Sequence, residues 1–287
     1  MNDFKDNIVS TDWLFDHLND LNICVVDATY HLPSLNRNAH KEFANKHIPG
    51  AVFFDIDLIA NQKSDLPHMI PSAEQFAKEV GNLGISNKHY IIIYDTYGLL
   101  SAARVWWMFR LFGHTSVAVL DGGLIKWENE KKPLSSQNIP YQPEKFNAAL
   151  QPNLIRYKQD IQDNLNIKQS AQIIDARDTR IFSGLIEGKW PGRRPGHIPN
   201  SINLPFQILL NSQQKTFIDK QQIQEIVRNK SIDLQKSIIT TCGSGITACI
   251  LALALHIIGY ENAAVYDGSW AEWGLPGDTP VSTDENI

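Results

Sequence analysis

The chain alternates short apolar runs with segments in which apolar residues recur at helical spacing. In its C-terminal half, the runs 172–175, 237–240 and 263–266 predict strands, and segments 220–228 and 248–258 predict helices. Strands that alternate with helices usually form a parallel sheet covered by helices on both faces. Because such sheets bind ligands at the carboxyl ends of their strands, we expect the functional residues to follow strands.

Three landmarks occur twice, in one order and at nearly one spacing. The pairs are Asp27 and Asp175, His47 and His197, and Asp121 and Asp267, which lie 148, 150 and 146 residues apart. Each member of a pair is followed by similar residues, such as Ile-Pro after both histidines. We therefore interpret the chain as two copies of one α/β fold.

The length of 287 residues also fits two domains of about 150 residues each. We predict an N-terminal domain at 1–132, a linker at 133–153 and a C-terminal domain at 154–287. Pro133, Pro140 and Pro143 predict that the linker is extended.

Composition describes an ordinary globular protein, with 43% hydrophobic and 20% charged residues. A net charge of -5 argues against a nucleic-acid partner, which would favour a basic domain. The longest apolar run, 248–255, is far shorter than the roughly 20 residues of a membrane span, and the N-terminus lacks the apolar core of a signal peptide. We expect a cytoplasmic protein without a membrane partner.

One cysteine stands where a strand meets a helix. Cys242 begins the loop Cys-Gly-Ser-Gly-Ile-Thr between the predicted strand 237–240 and the predicted helix 248–258. Glycines allow backbone N–H groups to converge, and a helix N-terminus adds partial positive charge, so this loop favours a thiolate. We predict that Cys242 is a nucleophile and that substrate is bound by Gly243, Gly245, Ile246 and Thr247.

The chain has three cysteines, Cys24, Cys242 and Cys249, which are too few and too irregularly spaced for a disulfide framework. We expect Cys249 to pack in the core. In the first copy, Asp95 occupies the position of Cys242, 147 residues earlier. We therefore expect the N-terminal domain to lack a nucleophile.

Two other cysteine chemistries fit the loop poorly. A tyrosine phosphatase needs an arginine six residues after its cysteine to grip phosphate, and that position holds Ala248. The residues around Cys242 also lack the local signature of a papain-like protease. Sulfur transfer remains: a thiolate attacks a polarised sulfur, becomes a persulfide, and passes the outer sulfur to a second nucleophile. This chemistry requires no metal and no organic cofactor.

The two-copy layout, the repeated His-Ile-Pro, the segment Asp267–Trp270 and the cysteine loop together resemble the tandem-domain rhodanese family. Within it, the loop is similar to that of members that use 3-mercaptopyruvate, whereas thiosulfate-using members carry basic residues directly after the cysteine. Gly243 and Ser244 occupy those positions here. The resemblance implies two rhodanese-like domains, and a sulfurtransferase that passes sulfur from a small donor to a thiol, cyanide or thioredoxin-like acceptor.

The resemblance also assigns further catalytic residues. Members that use mercaptopyruvate are similar in the motif Phe-Phe-Asp-Ile-Asp, which this chain has at 53–57, and in a following His-Met, here His68 and Met69. The resemblance implies that Asp57 and His68 act with Ser244 to move a proton. A histidine suits this role because it titrates near neutrality.

The chain departs from the family at its substrate arginines. The two positions expected to hold them contain Ile181 and Trp190. Arg180, Arg193 and Arg194 lie close by in sequence, and we predict that they bind the donor carboxylate instead, since arginine matches two oxygens at once. The alternative for Arg193 and Arg194 is a solvated basic corner.

Two further interpretations stay open at this point. The donor could be thiosulfate, or the protein could be a sulfur-relay module whose persulfide is loaded by a partner desulfurase. The sequence leaves the donor, the acceptor and the oligomeric state undetermined.

Overall fold

The computed structural model describes residues 7–137, 141–166 and 170–283. Over these residues the chain forms two compact units, each with its own sheet. The first unit comprises Met1–Gln62, Ile70–Gln151 and Asn211–Phe217, and the second comprises Lys63–Met69, Pro152–Leu210 and Ile218–Ile287.

Each unit contains a sheet whose strand pairs are all parallel. The strands of the first unit are β1 (Ile8–Val9), β2 (Ile23–Asp27), β3 (Val52–Phe53), β4 (Tyr90–Tyr94) and β5 (Val117–Leu120). Those of the second are β6 (Ile155–Arg156), β7 (Ala171–Asp175), β8 (Ile202–Asn203), β9 (Ser237–Thr241) and β10 (Ala264–Tyr266). Their orders, β1-β5-β4-β2-β3 and β6-β10-β9-β7-β8, are the same. The predicted α/β fold of two tandem copies is confirmed.

Helices connect the strands in both units. The first unit contains α1 (Thr11–His17), α2 (Ala39–Asn45), α3 (Ile56–Ile59), α4 (Ala73–Asn82), α5 (Ala102–Leu111) and α6 (Gly123–Asn129). The second contains α7 (Lys158–Asn166), α8 (Thr179–Phe182), α9 (Lys220–Asn229), α10 (Ala248–Ile257) and α11 (Ser269–Trp273). Among the described residues, no helix combines the length and apolarity that crossing a bilayer requires.

The central strands and the helices after them form the cores. All five residues of β4 are buried, as expected for a parallel strand covered on both faces. In α10, the run Ala248–Leu255 is buried throughout, so this helix lies inside its unit. By contrast, α9 buries one face through Ile223 and Val227, and it begins with a capping box between Asp219 and Gln222. The predicted strands and helices of the second half are thereby confirmed to within one or two residues at their ends.

Strand register makes the repeat explicit. In the first sheet Asp27 lies opposite Tyr94, and in the second Asp175 lies opposite Thr241. The residues that follow β4 and β9, Asp95 and Cys242, therefore occupy equivalent positions. Two indole N–H groups repeat as well: Trp127 donates to the Pro133 carbonyl and Trp273 to the Pro280 carbonyl, both at 2.8 Å.

The predicted linker, 133–153, contains no helix or strand at residues 133–137 and 141–151, and a short 3-10 helix begins at Pro152. Its later part packs on the first unit, where Phe146 is buried and the Glu144 N–H donates to the Gly81 carbonyl at 2.9 Å. Pro140 lies outside the described residues. Residues 141–151 thus belong to the first compact unit, while the predicted domain boundaries remain a prediction.

Candidate active site

Cys242 lies at the carboxyl end of β9, the central strand of the second sheet, and is buried. The loop from Cys242 to Thr247 leads directly into α10. Gly245 has a φ of +77°, a left-handed conformation that a residue with a side chain rarely adopts, so this glycine allows the tight turn. The predicted placement of the cysteine between a strand and a helix is confirmed.

The backbone of this loop is fixed by α11. The N–H of Trp270 donates to the Cys242 carbonyl at 2.9 Å, and that of Ala271 donates to the Gly243 carbonyl at 2.7 Å. The carbonyl oxygens of Cys242 and Gly243 therefore have hydrogen-bond donors, which offset the partial negative charge that would repel a thiolate nearby. Two hydrogen bonds from α11 thus hold the first two residues of the loop.

A hydroxyl group holds the amide of the nucleophile itself. The N–H of Cys242 donates to Ser269 Oγ at 3.2 Å, and Ser269 Oγ donates in turn to the Tyr266 carbonyl at 2.7 Å. The Cys242 amide is consequently committed to Ser269. In the described part of the chain, the backbone N–H groups of Ser244, Ile246 and Thr247 donate to no protein acceptor, which leaves them available to an anion.

The first unit shows what this kind of loop binds. There the Asp95 carboxylate accepts hydrogen bonds from the N–H groups of Tyr97, Ser101 and Ala102 at 2.8, 2.7 and 2.8 Å. Burial raises the pKa of Asp95, while the backbone donors oppose that shift. The loop geometry thus surrounds an anionic position with amides. In the first unit a carboxylate of the chain takes that position, and Cys242 is the equivalent residue of the second unit.

An indole ring covers the residue after the nucleophile. Trp190 is half-buried, and its Nε1 lies 3.1 Å from the point where a Cβ on Gly243 would stand. The ring of Trp190 also makes an edge contact with the ring of His68, with 6.0 Å between their centroids. Trp190 therefore links His68 to the cysteine loop.

His68 and Ser244 are both buried, and both belong to the second compact unit. The segment Lys63–Met69 joins that unit although it precedes most of it in sequence, and His68 has a φ of +58°. Asp57 lies in the first unit, exposed in α3, where its N–H donates to the Asp55 carboxylate at 3.0 Å. The joint role of Asp57, His68 and Ser244 stays a prediction.

The three predicted arginines occupy different environments. Arg180 is exposed on α8. Arg193 Nε donates to the Ala271 carbonyl at 3.0 Å. Arg194 donates to the carbonyls of Thr279 and Trp273 at 2.8 and 3.0 Å, so its guanidinium is committed to the backbone around α11. Arg193 and Arg194 both bond to backbone carbonyls, so they do not form a solvated basic corner. Donor binding by the three arginines stays a prediction, and Arg194 fits it least because carbonyls already engage its guanidinium.

Sequence reasoning missed Ser269 and Trp190 as parts of the site. Ser269 has a φ of +47°, and its counterpart Gly123 has a φ of +52°. The replacement of glycine by serine was visible in the repeat, and the left-handed backbone that makes it unusual is visible only in the structure. No signal in the sequence placed Trp190 against Gly243. The prediction that Cys249 packs in the core is confirmed, since it is fully buried.

Comparison with known proteins agrees with this geometry. The profile of the rhodanese-like domain matches residues 10–130 and 158–275. The chain is 42% identical to 3-mercaptopyruvate sulfurtransferase of Rattus norvegicus, covering 93% of this chain and 91% of that protein. It is 39% identical to thiosulfate/3-mercaptopyruvate sulfurtransferase 2 of Arabidopsis thaliana, covering 96% and 86%. The crystal structure of SseA from Escherichia coli, a 3-mercaptopyruvate sulfotransferase, superposes with a TM-score of 0.84 at 36% identity and covers 93% and 99%.

Proposed function

Because the chain belongs to the rhodanese family and is a sulfurtransferase enzyme, we propose that it transfers sulfur from 3-mercaptopyruvate through a persulfide on Cys242. Cys242 is the cysteine that follows a central strand and opens a glycine-containing loop. The observation that carries this proposal is the loop itself, whose equivalent in the first unit surrounds a carboxylate with amide donors.

In the first half-reaction, the Cys242 thiolate attacks the sulfur of mercaptopyruvate and forms a sulfur–sulfur bond. The carbon–sulfur bond of the donor breaks, and its electron pair passes to C3, giving the enolate of pyruvate. The proton of the donor thiol ends on C3, which yields pyruvate and a deprotonated persulfide. The uncommitted amides of Ser244, Ile246 and Thr247 would stabilise the negative charge on either sulfur.

A proton must therefore travel from sulfur to carbon. We assign that transfer to the Ser244 hydroxyl and His68, since both are buried in the unit that carries Cys242. A histidine exchanges protons readily near neutral pH, and a serine hydroxyl both donates and accepts. The assignment of Asp57 to the same relay is part of the proposal.

In the second half-reaction, an acceptor nucleophile attacks the outer sulfur of the persulfide. The sulfur–sulfur bond breaks, its electron pair returns to Cys242 as the thiolate, and the acceptor leaves as a persulfide or as thiocyanate. We propose a thiol, cyanide or a thioredoxin-like protein as the acceptor. A reducing cytoplasm would suit this chemistry, and Cys24, Cys242 and Cys249 are all free cysteines in this structure.

Intact-mass measurement tests the proposal directly. After incubation with mercaptopyruvate, the protein is expected to gain one sulfur atom, which cyanide removes. Cys242→Ser should gain none, while Cys249→Ser, which changes a core cysteine of the following helix, should behave as the wild type. A sulfur gain that persists in Cys242→Ser would contradict the assignment.

The donor is tested by comparing mercaptopyruvate with thiosulfate. We expect a higher kcat/KM for mercaptopyruvate, because Gly243 and Ser244 place no cation beside the sulfur to attract a dianion. If thiosulfate forms the Cys242 persulfide faster than mercaptopyruvate does, thiosulfate is the donor. Slow turnover of both, with rapid loading by a persulfide-carrying partner, would identify a sulfur-relay module.

A further inference from the structure

The first unit contains a cavity of about 260 Å³ at the carboxyl ends of its strands. Asp27 and Thr29, which end and follow β2, line it together with Thr96, which follows β4. The remaining walls come from α2, from the residues on either side of it and from the start of α6, and they include Arg37, Glu42, Lys46 and Leu124. None of these residues takes part in the proposed sulfur transfer.

The second unit shows how the equivalent position is used there. Asp27 and Asp175 end equivalent strands, and each accepts a 2.9 Å hydrogen bond from the backbone N–H two residues later. That later residue is Thr29 in the first unit and Arg177 in the second. The carboxyl groups of Asp27 and Asp175 are therefore equivalent. Asp175 has a guanidinium beside it, from Arg177, whereas Asp27 has only the shorter side chain of Thr29.

Arg177 buries its guanidinium against three partners. Its Nη2 lies 2.6 Å from Asp175 Oδ2 and its Nε lies 2.9 Å from the same oxygen. Nη2 also donates to the Gly196 carbonyl at 2.9 Å. The face of the guanidinium lies 4.3 Å from the centre of the Trp270 ring. Together these contacts form a complete guanidinium site: a carboxylate, a carbonyl and an aromatic face.

Each partner has a counterpart that lines the cavity of the first unit. Trp270 corresponds to Leu124, because the N–H of Trp270 donates to the Cys242 carbonyl as the N–H of Leu124 donates to the Asp95 carbonyl. Gly196 corresponds to Lys46, because each precedes a histidine, His197 or His47, that pairs with a later serine. The cavity thus lies where Arg177 would place its guanidinium, and the shorter Thr29 leaves that space.

Asp27 is the charged residue of the cavity wall that has no oppositely charged partner among the described residues. Arg37 donates to the Glu42 carboxylate through Nε at 2.8 Å and Nη2 at 2.6 Å, and Lys46 forms an ion pair with Glu128. Among the described residues, none of the ion pairs includes Asp27, which is only 3% exposed. Thr29 and Tyr94 donate hydrogen bonds to the Asp27 carboxylate, but no cation of the described residues neutralises its charge. Burial of such a carboxylate is costly, and a cation would offset that cost.

We propose that this cavity binds the guanidinium group of a small molecule, with Asp27 as its counter-ion. The ligand would donate two hydrogen bonds to the Asp27 carboxylate and lay one face against Leu124, as Arg177 does against Asp175 and Trp270. The ion pair of Arg37 and Glu42, which lines the cavity and is partly exposed, would meet the rest of the molecule.

Binding is tested on the full chain with methylguanidinium and with methylurea, its neutral counterpart of nearly equal shape. Ligand-observed NMR is expected to show saturable binding of methylguanidinium to one site. Methylurea should bind about tenfold more weakly or worse, because it brings no charge to Asp27. Equal binding of the two, or no binding of methylguanidinium, would overturn the proposal.

Two variants locate the site. Thr29→Arg supplies the guanidinium from the chain itself and is expected to abolish binding of methylguanidinium. Asp27→Asn keeps the side-chain size and should weaken binding about tenfold or more, which preserves the test if Thr29→Arg fails to fold. Circular dichroism checks the fold of both. Binding that is unchanged in a folded variant would place the ligand elsewhere and refute the proposal.

Discussion

At the scale of single residues, Ser269 combines backbone strain with a direct bond to the nucleophile. Its left-handed backbone costs roughly 1 kcal/mol relative to glycine, yet its hydroxyl accepts the N–H of Cys242. The equivalent Gly123 belongs to the unit that has Asp95 in place of the nucleophile, and it bears no hydroxyl. The strain is therefore located where the loop of the nucleophile is fixed.

Two substitutions at this position separate strain from hydrogen bonding. Both Ser269→Gly and Ser269→Ala remove the hydroxyl, so each should slow persulfide formation about tenfold in single-turnover measurements. Ser269→Gly also relieves the strain and should unfold with a free energy about 1 kcal/mol higher than Ser269→Ala. Equal stability of the two variants would show that the backbone at 269 is unstrained.

Trp190 and Gly243 form a second residue-scale contact that can be measured. A methyl group at position 243 would stand 3.1 Å from Trp190 Nε1, so Gly243→Ala must displace the indole. We expect Gly243→Ala to lower kcat/KM, and Trp190→Ala to reduce that penalty in the double variant. A double-mutant cycle should give a coupling of about 1 kcal/mol, and strictly additive effects would contradict the contact.

At the scale of elements, residues 141–151 act as part of the first unit. Phe146 is buried and contacts the rings of Phe76 and Phe109 at centroid distances of 5.9 Å each. The backbone of the same segment bonds to the Gly81 and Phe112 carbonyls. A segment whose prolines predict a linker is thus held by an aromatic cluster.

A pair of substitutions within this segment measures its contribution. Phe146→Ala should lower the free energy of unfolding by about 3–5 kcal/mol, because it removes a buried aromatic ring from a packed cluster. Leu150→Ala is the control, since Leu150 is 42% exposed and should change stability by less than about 0.5 kcal/mol. Chemical denaturation measures both, and a small effect of Phe146→Ala would show that the segment is only a linker.

At the scale of the whole molecule, the two copies share a framework and differ in the charged groups at their strand ends. Asp95 takes the position of Cys242, and Thr29 takes the position of Arg177. In the second copy the buried carboxylate of Asp175 is paired with Arg177. Its equivalent in the first copy, Asp27, is buried without an arginine beside it in the described part of the chain. Duplication kept the sheet and changed the chemistry of each half separately.

This difference predicts a pH dependence of stability. Burial raises the pKa of Asp27 to about 6, although hydrogen bonds from Thr29 and Tyr94 oppose the shift. Its pKa in the unfolded chain is about 3.9, so the folded state holds the proton more tightly. The resulting stabilisation is complete below about pH 4 and is lost as the pH rises to about 6, a change of about 3 kcal/mol.

Unfolding free energies measured from pH 4 to pH 7 test this sign. The wild type should lose about 2 kcal/mol more than Asp27→Asn over that range, because the amide does not ionise. Thr29→Arg should also flatten the loss, since it gives Asp27 a cationic partner. Parallel pH profiles of the wild type and Asp27→Asn would refute the assignment.

Much of the site was predictable because its parts are local in sequence. The loop from Cys242 to Thr247 lies between a strand and a helix that apolar periodicity identifies, and Gly245, one of its two glycines, has a left-handed backbone. The arginine positions were harder, since Arg194 is engaged by carbonyls near α11 that lie about 80 residues later in the chain. No local pattern reports such partners.

The sequence by itself determined the alternation of strands and helices, the duplication and the placement of Cys242, because each depends on periodicity or spacing along the chain. Only the tertiary structure decided that Trp190 covers Gly243, that Ser269 holds the Cys242 amide, and that Asp27 faces a cavity. These features depend on which distant side chains meet, and packing in three dimensions, rather than local residue preference, sets those contacts.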